Sequence, residues 1–70
     1  MLTLEIHEEI NKETNPIYER MVRAIPSTFS SYEEYLEWHA LQIGYILQVL
    51  NAYGFTTFRK YDNALRKLGV

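Results

Sequence analysis

The 70 residues include no cysteine. That excludes disulfides, thiolate metal ligands and a thiol nucleophile together. The only histidines are His7 and His39, and neither has a nucleophile or a second ligand at a recognisable spacing. The three glycines, Gly44, Gly54 and Gly69, stand too far apart to cradle a phosphate. Neither G-x-x-x-x-G-K nor G-x-G-x-x-G occurs. The longest apolar stretch, Leu41 to Leu50, is interrupted by Gln42, Gly44 and Gln48. A membrane span needs about 18 apolar residues, so none is expected. No basic N-terminal stretch leads into an apolar run, so no signal peptide is expected. Low-complexity segments and internal repeats are lacking too. These absences lead us to expect a cytoplasmic protein without metal, cofactor or catalytic residues.

Large apolar side chains are plentiful. Hydrophobic residues make up 47% of the chain, with six Tyr, three Phe and one Trp. Ordering a chain of this length costs on the order of 100 kcal/mol of conformational entropy. Aromatics offset that efficiently, because each buries roughly 150–250 Å². A chain this short hides only about 60% of its unfolded surface. Without a covalent or metal staple, packing or self-association must hold the fold. One domain over residues 1–70 is expected.

Charge is segregated along the chain. Residues 1–51 set Lys12, Arg20 and Arg23 against eight glutamates, a net of −5. Residues 52–70 set Arg59, Lys60, Arg66 and Lys67 against Asp62, a net of +3, which brings the total to −2. Such asymmetry points to a polar partner without naming it.

Periodicity divides the chain into four segments. In Leu2 to Thr14 both the strand and the helix period can be read at the start, since Leu2, Leu4 and Ile6 alternate while Leu2, Ile6 and Ile10 recur every fourth position. The polar continuation favours a helix capped by Thr3. A second helix is expected to begin at Asn15–Pro16 and end before Pro26, with Ile17, Tyr18, Met21, Val22, Ala24 and Ile25 inward. Ser31 and Glu34 have capping-box spacing and open a long central helix over 32–53, closed by Gly54. Placing its residues at about 100° per position gathers an apolar arc that includes Tyr32, Tyr35, Leu36, His39, Ala40, Ile43, Ile46, Leu47, Val49, Leu50 and Tyr53. A second stripe holds Trp38, Leu41, Tyr45 and Ala52. The last helix is expected over 57–68, capped by Thr56 or Thr57, with Phe58, Tyr61, Ala64, Leu65 and Leu68 inward and Gly69 behind.

The expected fold is therefore all-α, a compact bundle of three to four helices around the 32–53 helix. Leu36, Ile43, Ile46, Leu47, Leu50 and Leu65 are its expected core. His39 sits on the apolar arc and reads as a core histidine with one hydrogen-bond partner.

Two functional readings follow. Trp38, Leu41 and Tyr45, at i, i+3 and i+7, match an amphipathic helix seated in a groove or against its twin. On that reading the chain is a non-catalytic regulator, adaptor or inhibitor whose partner is another protein, with a homo-oligomer expected. The alternative is a helix-turn-helix nucleic-acid binder. It would use Arg59, Lys60, Asn63, Arg66 and Lys67 on the basic C-terminal helix. The eight glutamates elsewhere would oppose phosphate binding, so nucleic acid is the less favoured partner.

Overall fold

Thr3 caps the first helix, its Oγ1 accepting the Ile6 amide at 3.2 Å. In the computed structural model, which describes residues 1–69, this helix α1 runs without a break from Leu4 to Arg23. A 3₁₀ turn at Pro26–Thr28 leads to α2, Tyr32–Ala52, and a short turn leads to α3, Phe58–Leu68. The fold is all-α among the described residues, with three α-helices, within the expected three to four.

The boundary expected at Pro16 does not exist: Pro16 lies inside α1. A proline there removes one amide donor and deprives the Lys12 carbonyl of its helical partner. Lys12 and Pro16 are both exposed, so water can serve that carbonyl. The opposite side of the same turn is buried through Thr14 and Ile17, and that packing outweighs the local penalty. Thr14 is 2% exposed, and its hydroxyl donates to the Ile10 carbonyl at 2.9 Å, which satisfies it within α1. Ala24 and Ile25 then turn extended, Ile25 as the residue directly before Pro26 favours.

Two seams hold α1 against α2. On α1 one line of buried or half-buried positions runs through His7, Ile10, Thr14, Ile17 and Met21 to the cap residue Ala24, with Ile6 and Asn11 half-buried beside it. On α2 they include Tyr35, His39, Gln42, Ile46, Val49 and Tyr53. Both series step by three and four in alternation, the 3.5-residue repeat of a coiled coil. The helices run antiparallel. Arg20 Nη2 donates to Gln42 Oε1 at 3.3 Å, and the Tyr53 hydroxyl donates to Glu13 further back along α1.

This seam is turned from the expected arc by roughly 60° at 100° per residue. Gln42, expected only as an interruption, is 5% exposed, while Leu36 and Ile43, expected in the core, are 48% and 45% exposed. Ile46 and Leu50 are buried, and Leu47 and Leu65 pack half-buried against the core. On α1, Tyr18 and Val22 are exposed rather than inward, as is Ile25 beyond it. A heptad seam is narrow, and these residues lie off it.

The α3 helix closes one end of the hairpin. Thr57 caps it by accepting the Lys60 amide at 3.1 Å, and Gly69 ends it at φ +82°. Tyr61, Leu2, Ile10 and Leu50 form the buried core, with Phe55, Ala64, Leu65 and Leu68 packed around them. Phe58, expected inward, stays exposed at its edge. The far end of the hairpin is held by aromatics. Phe29 lies 5.3 Å from Tyr35 and 5.7 Å from Trp38, centroid to centroid. The molecule measures 42 × 19 × 18 Å, with a radius of gyration of 14.0 Å. A compact chain of this length would have about 11 Å.

Candidate functional site: the outer face of α2

An elongated hairpin leaves much apolar surface uncovered. Among the described residues six hydrophobic side chains are buried, whereas eleven large ones are exposed. The exposed ones differ in their surroundings. Tyr18 and Val22 on α1 are interleaved with Glu19, Arg20 and Arg23. On α2 beyond Glu37 the neighbours are neutral: residues 38–58 contain no Asp, Glu, Lys or Arg. Eight residues between Ala40 and Ala52 are nevertheless exposed, among them Leu41, Ile43 and Tyr45.

At the centre of this face is Gly44. A Cβ built on it meets nothing within 4 Å. The missing side chain opens a shallow groove of about 470 Å³, lined by Glu37, Ala40, Leu41, Gly44, Tyr45 and Gln48. Leu41 and Tyr45 form one wall, a ridge beside a hole. Leu36 and Ile43 stand exposed on the other flank.

Trp38 occupies an intermediate place. It is half-buried, with its ring 5.7 Å from Phe29 and 5.3 Å from His39. It joins the aromatic cluster at the turn end, while Leu41 and Tyr45 remain open. His39 lies in the α1–α2 seam between Tyr35 and Trp38, whose rings approach it edge-on at 4.5 and 5.3 Å. Its Nε2 is buried and has no hydrogen-bond partner, contrary to the one expected.

The residues of the alternative site, Arg59, Lys60, Asn63, Arg66 and Lys67, are all exposed on α3. Among the described residues the single ion pair is Lys12–Glu9, so none of the four α3 cations is paired. Lys60, Asn63 and Lys67 border a cleft of about 610 Å³ with an apolar floor that includes Leu2 and Phe55. Arg59 and Arg66 lie outside that cleft.

His7 is engaged in structure. Asn11 Nδ2 donates to its Nε2 at 3.3 Å, which leaves Nδ1 to carry the proton towards the Tyr61 oxygen, 2.8 Å away. Burial pushes the Tyr61 hydroxyl above the ordinary phenol range, helped by Tyr18 and the charge of Asp62. The Tyr53 hydroxyl is raised chiefly by its hydrogen bond to Glu13. Among the described residues no three His, Asp or Glu side chains are grouped to hold a metal ion. No helix among them is long and apolar enough to cross a membrane.

The sequence reading missed Gly44, Ala40, Glu37 and Gln48 as a groove. The signal was present as the absence of charge over 38–58, on a helix too short of neighbours to be covered all round. No protein-family model, curated protein or solved structure matches the chain.

Proposed function

We propose that this chain is a small non-catalytic interaction protein, a cytoplasmic regulator, adaptor or inhibitor acting through the outer face of α2. The observation that carries the reading is the exposed surface around Leu41, Gly44 and Tyr45, uncharged except for Glu37 at its edge. Depletion of charge with aromatic enrichment is the compositional mark of an interface core. Trp38 flanks this surface, and its half-buried ring offers a rigid shoulder. Both histidines support a non-catalytic role, since His7 bonds Tyr61 and Asn11 and His39 is enclosed by rings.

Replacing Leu41 and Tyr45 together by Lys tests it. Neither side chain belongs to the α1–α2 seam, so helical circular dichroism should persist while the protein loses its partner. Retained partner binding at wild-type affinity would overturn the reading.

The exposed cations of α3, unpaired among the described residues, favour one second reading, a nucleic-acid contact through Arg59, Lys60, Asn63, Arg66 and Lys67. Binding of that kind weakens steeply with salt, by nearly one unit of log–log slope per phosphate contact. An apolar α2 contact would not.

A further inference from the structure

Resting on the reading of α2 as a contact surface, we propose that its occupant is a second copy of this chain. The two α2 helices cross antiparallel about a two-fold axis at Gly44. Three observations carry this.

The first is shape. A two-fold contact is self-complementary, so each copy must supply both the projection and the recess that receives it. The outer face of α2 has both side by side, the Leu41/Tyr45 ridge and the groove over Ala40 and Gly44. The ridge of each copy seats in the groove of the other. Glycine within a helix costs about 1 kcal/mol relative to alanine. Nothing inside this chain requires it, because a Cβ at Gly44 would touch no neighbour and φ there is not positive. A helix approaching from outside gives that glycine a purpose.

The second is charge. The glutamates of α2 all lie in its first two turns, at Glu33, Glu34 and Glu37. A parallel pair would set these against their own copies. An antiparallel pair centred on Gly44 sets Glu37 beside the partner's Asn51. It also brings Glu33 alongside the end of α2 from which the partner's basic α3 departs. Between those ends neutral surface meets neutral surface.

The third is area. The chain exposes 5285 Å². A folded monomer of its 8.3 kDa mass is expected to expose about 4,600 Å². The excess, roughly 700 Å², is surface that the elongated hairpin leaves uncovered, and the outer face of α2, with Leu41, Ile43 and Tyr45 exposed, is part of it.

The test uses the cysteine-free background. Sedimentation equilibrium of the full chain should return twice the 8.3 kDa monomer mass. Gly44→Cys should form an intermolecular disulfide on mild oxidation, because residues on the two-fold axis face themselves. Glu33→Cys should not, since in the antiparallel pair those positions lie roughly 30 Å apart at 1.5 Å rise per residue. Gly44→Leu, which fills the groove without touching the chain's own core, should weaken association at least tenfold and keep the helical spectrum. Crosslinking at 33 but not at 44 would overturn the arrangement. A monomeric wild type would overturn the dimer. If that monomer still loses a different partner through the Leu41/Tyr45 double substitution, the contact surface stands and only its occupant was misassigned. If the double substitution changes nothing either, both fail.

Discussion

The His7 imidazole and the Tyr61 hydroxyl, 54 positions apart in the chain, meet at 2.8 Å and fasten α3 to the start of α1. Tyr61 is buried and Phe55 packs edge-on against its ring at 5.1 Å, so the hydrogen bond caps an apolar contact. Tyr61→Phe keeps the ring and deletes the bond. It should lower stability by about 1 kcal/mol, the net worth of one hydrogen bond. Tyr61→Ala should cost about 3–5 kcal/mol, the range for a large buried aromatic. Urea denaturation followed by circular dichroism measures both. Equal losses in the two variants would mean that the ring contributes nothing to the core.

Alkaline pH should loosen the same end of the molecule. Burial, then Tyr18 and Asp62, raise the Tyr61 hydroxyl above its ordinary value, and the hydrogen bond to Glu13 raises Tyr53. A raised pKa means that the folded state holds its proton more tightly than the unfolded state does. The stabilisation is full below the unfolded phenol value of about 10 and is lost as pH climbs through the folded one. Denaturation midpoints should therefore fall above about pH 10. Tyr61→Phe should flatten that decline. Midpoints that rise across this range would contradict the assignment.

Pro16 distinguishes one continuous α1 from two shorter helices. Within a helix interior, proline is up to about 3 kcal/mol worse than alanine. Pro16→Ala should accordingly raise the melting temperature. If Pro16 instead opened a second helix, its fixed φ would favour the start, and the same substitution would be neutral or destabilising.

His39 offers a second stabilising change. Its buried Nε2 has no partner, and an unsatisfied buried polar atom costs about 1–3 kcal/mol. His39→Leu should keep apolar volume in the seam and raise stability by about 1 kcal/mol, or some 4–8 °C for a domain of this size. A drop of similar size would show that Nε2 is hydrogen-bonded in solution.

Helix ends were legible in the sequence because single side chains specify them. Thr3, Ser31 and Thr57 each accept an amide three residues on, and Gly54 and Gly69 take positive φ. Helix phase was less legible. The 3.6-residue arc on α2 collected Leu36 and Ile43, whereas the true seam passes through Gln42 and follows a 3.5-residue repeat. Side-chain hydrophobicity alone could not choose between the two arcs, since α2 is apolar on most of its circumference. The seam was decided by its partner, where Thr14 satisfies itself on Ile10 and Arg20 reaches Gln42. Pro16 misled for a related reason, because a local rule was overridden by packing on the far side of the same turn. The candidate surface was half legible. Leu41 and Tyr45, read from the sequence as lying off the main arc, are exposed, but the groove beside them needed the position of Gly44 in three dimensions.

Photo-crosslinking from position 45 tests most directly whether the outer face of α2 is a contact surface. Tyr45 is exposed and borders the groove, so a benzophenone-bearing residue in its place should trap whatever lies there. Irradiation in the producing cell should give one dominant covalent adduct whose mass identifies the occupant, twice the chain mass if that occupant is a second copy. The same probe at Glu8, on the exposed charged side of α1, should give none. No adduct from position 45, or the same diffuse set of adducts from both positions, would contradict a contact surface on α2.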